Sequence, residues 1–240
     1  MEDAFDDPAM VRMAIAAGSW ILLHVGLAGS PLRWAVAGRI GENAFRGLFS
    51  LLSFAGIVWL SVAYRQATSA ESFYGIRMVE PWMMWAPSVL MIPAVILFVG
   101  SLSQPNPTMV MGERFLKADE PARGVFRITR HPMLWSFLLW AIGHFIANGD
   151  LASVFLFGSI MIVAAAGMGS IDRKQAKRDP EGWRRFSAVT SVVPFMAILA
   201  GKNRLVVDEI GISRIAIAAA LFVAIAVIHP MVFGVPALPQ

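Results

Sequence analysis

Six apolar segments of nearly membrane-spanning length constrain this chain more than any other feature. They lie at about residues 9–28, 44–64, 82–102, 132–149, 151–171 and 213–235. Each is close to the ~20 residues that a helix needs to cross a bilayer. Backbone polar groups inside lipid must be satisfied within the segment, so such segments form helices. We therefore predict an all-α fold, a polytopic integral membrane helical bundle with about six transmembrane helices.

A seventh apolar stretch, residues 191–201, has about half that length. We expect a short interfacial or re-entrant segment there, although tilt and kinking would also permit a seventh crossing. The chain is 57% hydrophobic and only 15% charged, whereas soluble domains are usually about a quarter charged. Its mean hydropathy is +0.64. These values favour a single integral membrane domain over residues 1–240.

Lysine and arginine predict the orientation of the bundle. The loops that follow the first, third and fifth apolar segments are basic, whereas the turn at residues 147–150 has no lysine or arginine. Basic loops stay in the cytoplasm, so both termini are expected outside, in a multi-pass protein of the bacterial inner (cytoplasmic) membrane. The pI near 10.0 then reflects topology and contact with membrane lipid, and predicts no nucleic acid partner. The oligomeric state is left open.

The four histidines all lie in apolar segments or at their ends: His24, His131, His144 and His229. Ionisable groups are costly in a bilayer and mark functional sites there. A neutral imidazole among aromatic residues and glycines suits a flat ligand with an axial nitrogen ligand, such as haem. With no cysteine in the chain, thiolate ligands are excluded. The alternative is that such a histidine only hydrogen-bonds a carbonyl between packed helices.

His131 stands in the motif R-H-P, close to Arg127 and Arg130. Such a cationic patch suits carboxylates or phosphates, and haem propionates would fit it. Arg127, Arg130 and His131 are therefore predicted cofactor contacts. Alternatively, Pro132 only starts a helix and the arginines meet lipid headgroups.

Four stretches in this order resemble the NnrU membrane protein family, to which the zeta-carotene isomerases are also similar. They are "HVGLAGSPLRWAVAGRIGENAFRGLFSLLS", "RITRHPMLWSFLLWAIGHFIANGD", "DRKQAKRDPEGWRRFSAVTSVVPFMAILAGK" and "IHPMVFGVP". Together they cover most of the chain. The resemblance implies one NnrU-type membrane domain.

In the isomerases of this group, haem b is held by two histidines. The resemblance transfers these metal-ligand roles to His24 in "HVGLA" and His144 in "IGH". The isomerases carry a cysteine three positions before the second histidine, where this chain has Ala141, so ligand switching to a thiol is excluded. Because His131 and His144 lie roughly 20 Å apart along a helix, upright helices would instead pair His24 with His131, or His144 with His229. Tilt would reconcile His24 with His144, which remain the first choice.

The resemblance implies a haem b protein linked to nitrite and nitric oxide metabolism in denitrification, with nitric oxide as a ligand. The alternative is a haem-dependent cis-trans isomerase of a polyene such as zeta-carotene, a lipophilic substrate that enters from the bilayer. A further alternative is an S-adenosylmethionine-dependent membrane methyltransferase, since R-H-P and "EGWRRFSAVTSVVPF" are also similar to those enzymes. Trp135 is not the tyrosine that their motif has at the expected spacing. A purely structural assembly role is also left open.

Overall fold

The computed structural model describes residues 2–69, 74–76, 78–109 and 112–238. Helices dominate these ranges, and the β-type pairing within them is one isolated antiparallel bridge between Gly75 and Asp150. The predicted all-α class is confirmed.

Five helices of the described ranges are long and apolar enough to cross a membrane: Pro8–Ala28, Glu42–Ala67, Pro81–Ser103, Leu151–Arg178 and Ile212–Phe233. A sixth apolar helix, Pro132–Ala147, has 16 residues and is about 24 Å long. All six predicted segments are therefore helical, and the predicted membrane bundle is confirmed.

Eleven α-helices follow one another in the described part of the chain. They are α1 Pro8–Ile21, α2 Leu32–Ile40, α3 Glu42–Ala67, α4 Ala86–Ser103, α5 Val125–Ile128, α6 Pro132–Ala147, α7 Leu151–Arg178, α8 Pro180–Ala188, α9 Met196–Leu199, α10 Val207–Ile210 and α11 Ile212–Phe233. A π-helix, Leu22–Ala28, continues α1, and 3-10 turns lie at Glu2–Phe5, Pro81–Trp85 and Gly112–Lys117.

Helix α7 continues seven residues beyond the predicted apolar segment. No glycine or proline interrupts the polar extension before Pro180, so the helix persists to Arg178. Asp179 then caps α8 by accepting a hydrogen bond from the backbone N–H of Gly182 at 2.9 Å, and Pro180 takes the first helical position, where its missing N–H costs nothing.

The contacts of the chain divide into two compact units. The first comprises Met1–Ala86 and His144–Gly167. Within it α1 packs along α3, and the short α2 also rests on α3. Gly41, with φ +87°, turns the chain between α2 and α3 in a conformation that favours glycine.

The second unit comprises Pro87–Gly143 and Met168–Gln240. Its buried cluster draws apolar side chains from α4, the 112–126 segment and α8. These side chains are Leu97, Leu116, Ala122, Val125, Phe126, Trp183 and Phe186. The predicted single domain over residues 1–240 stays a prediction.

Residues 191–201 contain a single helical turn, α9. The segment is held by backbone hydrogen bonds, from Arg130 N to Ser191 O at 2.9 Å and from Phe195 N to Ile128 O at 2.8 Å. One turn rises only about 6 Å. This agrees with the predicted short segment and not with a seventh crossing.

Candidate functional site

His24 lies in the π-helix Leu22–Ala28, at the end of the first span. In a π-helix each N–H bonds five residues back, and such stretches are frequent at functional sites. The π-helix ends at Gly29, where a Cβ would come within 2.7 Å of the Val25 carbonyl oxygen. Gly29, the last glycine in the motif "HVGLAG", is thus required by a close backbone approach.

The hydrogen bonds of His24 leave one ring nitrogen available to a ligand. Nδ1 lies 2.9 Å from the Trp20 carbonyl oxygen, and because a carbonyl can only accept, Nδ1 carries the proton. Nε2 then presents its lone pair. Nε2 lies 3.5 Å from the Ser53 hydroxyl of α3, the limit of a hydrogen bond.

Aromatic rings surround the half-buried imidazole. The ring centroids of Trp20 and Phe49 lie 4.0 Å and 5.3 Å from that of His24. Gly56 of α3 makes room for the indole, because a Cβ there would lie 3.3 Å from Trp20. The indole Nε1 is buried and has no hydrogen-bond partner among the described residues. One acceptor, His24 Nε2, and one unsatisfied donor, Trp20 Nε1, thus belong to one ring cluster, and this arrangement fits a bound ligand.

His144 also belongs to the first unit, one turn before the end of α6. Its ring centroid lies 5.1 Å from that of Phe157 on α7, and Phe157 in turn lies 6.0 Å from Tyr64 on α3. The Tyr64 hydroxyl lies 2.9 Å from Ser153 Oγ, which donates to Asp150 Oδ2 at 2.7 Å. These hydrogen bonds therefore hold Tyr64, whose ring contacts the Phe157 ring beside His144.

Helix α3 relates the two predicted iron ligands. His24 approaches it at Ser53, and Phe157, which packs beside His144, contacts it at Tyr64. Positions 53 and 64 are eleven residues apart, which is a rise of about 16 Å along the helix. His24 contacts α3 directly, His144 is linked to it only through Phe157, and both histidines belong to the first unit. Their pairing on one iron stays a prediction.

His131 lies in the second unit and is buried, with 1% of its surface exposed. Its Nε2 lies 2.7 Å from Asp172 Oδ1, so Nε2 donates to the carboxylate. Nδ1 is also buried and has no hydrogen-bond partner within the described ranges. The hydrogen bond therefore fixes the orientation of both His131 and Asp172. The alternative that His131 replaces one of the two predicted iron ligands stays a prediction.

The two predicted anion-binding arginines bind carboxylates of the chain itself. Arg130 donates to Asp172 Oδ2 at 2.7 Å and to the Thr190 carbonyl at 3.1 Å. Arg127 donates to the two Glu209 oxygens at 2.7 Å and 2.8 Å. The pair raises the pKa of Arg127 and lowers the pKa of Glu209 to about 2. Since both guanidiniums are already paired, this arrangement does not favour a role for them in holding propionates, and that role stays a prediction.

The fourth histidine is half-buried near the end of α11. His229 Nδ1 lies 2.8 Å from the Val235 carbonyl oxygen, so it too carries a proton and closes the turn after the helix. In the parts of the chain that the structure describes, no three or more histidine, aspartate or glutamate side chains come together as a metal-binding group.

Sequence reasoning missed the partners of these residues. Asp172 and Glu209 lie 41 and 82 residues from the motif residues that they bind, so no local pattern indicates the pairing. Arg33 is a further buried cation, with 5% of its surface exposed. An arginine in a basic loop gives no sign of burial before the fold is known.

The fold and the site define a polytopic helical membrane protein in which the His24 imidazole packs among aromatic rings of its helices. The chain matches the NnrU protein family over residues 12–237 and belongs to that family. This confirms the resemblance found in the sequence.

Two curated relatives are similar to most of the chain. The chain is 26% identical to the chloroplastic 15-cis-zeta-carotene isomerase of Arabidopsis thaliana over 195 residues, 78% of this chain and 50% of the relative. It is 24% identical to that of Zea mays over 210 residues, 84% of this chain and 54% of the relative. The chain thus spans about half the length of the curated relatives that it matches. No solved structure matches the chain.

Proposed function

We propose that this protein is an integral membrane isomerase that converts a cis double bond of a carotenoid-like polyene to trans, with 15-cis-zeta-carotene as the first substrate to test. The observation that supports this is the similarity to two 15-cis-zeta-carotene isomerases across 78% and 84% of the chain. The relatives therefore favour the isomerase over the nitrite and nitric oxide role that the sequence placed first.

The ring cluster at His24 suits such a substrate. A long conjugated hydrocarbon dissolves in the bilayer and reaches the helices from the side. Trp20 and Phe49 offer flat apolar faces to a flat polyene. Isomerisation changes only the torsion about one carbon–carbon bond, so no proton or leaving group has to be delivered. The residues need only bind the hydrocarbon and exclude water while the order of one of its double bonds is lowered.

We propose haem b as the cofactor, which His24 and His144 would hold through their imidazole nitrogens. The protonated Nδ1 and the available Nε2 of His24 fit an iron ligand. When bound, the haem would supply an iron that could accept electron density from a double bond, and so weaken it, if one histidine were released. The Trp20 carbonyl orients the His24 ring, while Phe157 packs against His144 and limits its rotation.

The test is product geometry after incubation in the dark. Purified, haem-supplemented and reduced protein is mixed anaerobically with 15-cis-zeta-carotene, and the isomers are separated by chromatography. We expect loss of the 15-cis form with wild type and with His229→Ala, and no loss with His24→Ala or His144→Ala. The proposal fails if folded wild type leaves the 15-cis isomer unchanged.

The cofactor has a separate test, the visible absorption spectrum of the detergent-purified protein. Sharp split bands in the reduced state that disappear in His24→Ala and His144→Ala would support these two ligands. Bands that survive in His144→Ala but vanish in His131→Ala would assign the second ligand to His131 instead.

A nitric oxide-binding role in denitrification is a second proposal, supported by membership of the NnrU family and by the available Nε2 of His24. It requires that nitric oxide shift the visible bands of the reduced protein. We also propose the bacterial cytoplasmic membrane as its location, with the basic loops inside; the names of the two relatives describe them as chloroplastic. For the methyltransferase alternative, transfer of labelled methyl groups from S-adenosylmethionine is the deciding assay.

A further inference from the structure

Arg33 is a buried cation that the proposed isomerase chemistry does not use. It lies on α2 with 6% of its side chain exposed, and its Nη2 donates to Glu42 Oε1 at 2.6 Å. Arg46 Nε donates to the same carboxylate oxygen at 2.9 Å. Two guanidiniums therefore share one carboxylate, and the cluster keeps one positive charge.

The second terminal nitrogen of Arg33 is unsatisfied. Nη1 is buried and has no hydrogen-bond partner in the portion of the chain that the structure describes. Leaving a buried charged donor without an acceptor is costly. The aromatic faces of Trp34 and Phe45, 4.6 Å and 5.1 Å from Arg33 Cζ, stabilise the charge, but a ring face does not replace a hydrogen-bond acceptor in the guanidinium plane.

A column of rings connects this cation to His24. Phe45, beside Arg33, stacks on Phe49 with centroids 6.2 Å apart and planes at 9°. Phe49 then meets the His24 ring edge-on at 5.3 Å. All of these residues belong to the first unit. The column thus has the Arg33 guanidinium at one end and the His24 imidazole at the other.

We propose that Arg33, with Arg46, binds the oxyanion of an amphiphilic ligand whose apolar part lies along Phe45 and Phe49 toward His24. The excess positive charge and the unsatisfied Nη1 require an acceptor, and a carboxylate or phosphate matches the guanidinium. The site goes beyond the proposed function, because a hydrocarbon substrate has no oxyanion. The ligand is either a carboxylate of the cofactor or the phosphate of a membrane lipid.

Two binding measurements separate these sources. In the first, purified apoprotein is titrated with hemin and with hemin dimethyl ester, whose carboxylates are blocked, and the Soret absorbance is followed. In the second, retention of phosphatidylglycerol relative to phosphatidylcholine is measured by native mass spectrometry. The first rests on the proposed cofactor and the second does not, and neither measures isomerisation, so this proposal and the proposed function can fail separately.

We expect Arg33→Gln to weaken one of these ligands about tenfold, as for loss of one charge-assisted hydrogen bond. Weaker hemin binding with unchanged ester binding identifies a cofactor carboxylate, and selective loss of phosphatidylglycerol identifies the uncompensated phosphate of an anionic lipid. The matched control is Arg39→Gln, an exposed arginine on the same helix, which should change neither.

A second variant keeps the proposal testable if Arg33→Gln does not fold. Glu42→Gln removes the competing carboxylate, so it should tighten binding of the same ligand. Unchanged binding of both ligands in Arg33→Gln, an equal loss in Arg39→Gln, or no gain in Glu42→Gln would each overturn the proposal.

Discussion

The ion pair between Glu209 and Arg127 predicts a large loss of stability in Glu209→Gln. The Glu209 carboxylate accepts hydrogen bonds from Arg127 Nε at 2.7 Å and Nη2 at 2.8 Å, and from the backbone N–H of Gly124 at 2.8 Å. Only 18% of its side chain and 8% of that of Arg127 are exposed, so solvent screens the pair weakly. The substitution removes the charge and leaves Arg127 without its main partner.

The magnitude follows from the pKa of the carboxyl group. The Arg127 hydrogen bonds lower the pKa of Glu209 from 4.5 to about 2. At about 1.4 kcal/mol per pKa unit, that difference corresponds to about 3 kcal/mol of folding free energy. Removal of one partner from a buried pair costs a similar ~3–5 kcal/mol.

The pH dependence has a defined sign. Because the folded-state pKa of Glu209 lies below its unfolded value, the stabilisation is complete above pH 4.5 and is lost as the pH falls toward about 2. The difference between wild type and Glu209→Gln should therefore fall from about 3 kcal/mol at pH 7 to about 1.4 kcal/mol at pH 3.

Thermal unfolding in detergent, followed by tryptophan fluorescence, measures this difference. For a protein of this size 1 kcal/mol corresponds to about 2–4 °C, so we expect Tm to fall by about 6–12 °C at neutral pH. Asp208→Asn, an exposed neighbour on α10, is the matched control and should change Tm little. Equal Tm values for Glu209→Gln and Asp208→Asn at pH 7 would contradict a stabilising ion pair between Glu209 and Arg127.

Three further substitutions test other parts of the structure. Tyr64→Phe keeps the ring but removes the hydroxyl bonded to Ser153, so it should cost about 1 kcal/mol in thermal unfolding; no change in Tm would contradict the hydrogen-bonded chain. Asp172→Asn removes the charge to which Arg130 and His131 donate hydrogen bonds and should cost about 3–5 kcal/mol in denaturant unfolding; a neutral effect would contradict the ion pair between Arg130 and Asp172. Gly124→Ala places a Cβ against the Gln104 amide at φ +56° and should cost about 1–3 kcal/mol; a stable variant would contradict that backbone conformation.

The apolar segments predicted the spans because hydropathy and helix length are local properties. The prediction for 151–171 ended too early, since helix α7 carries a charged extension to Arg178 that hydropathy alone does not detect. The π-helix around His24 was also missed, because amino-acid composition does not distinguish a π-helix from an α-helix.

The roles of single site residues were harder to predict. Arg127 and Arg130 in "RITRHP" were expected to bind a cofactor anion, whereas their carboxylate partners come from α10 and α7. Arg33 was expected only to mark a basic cytoplasmic loop, yet it is buried beside the column of rings that leads to His24. Pairings between distant segments determine which arginine keeps a donor for a ligand, and one sequence does not contain that information locally.

The most direct test of the account is the isomer ratio of zeta-carotene in dark-grown bacterial cells that accumulate the 15-cis form and express this protein. We predict that wild type lowers the 15-cis fraction and that His24→Ala, expressed to the same level, does not. A 15-cis fraction that is the same with wild type, with His24→Ala and without the protein would contradict the account.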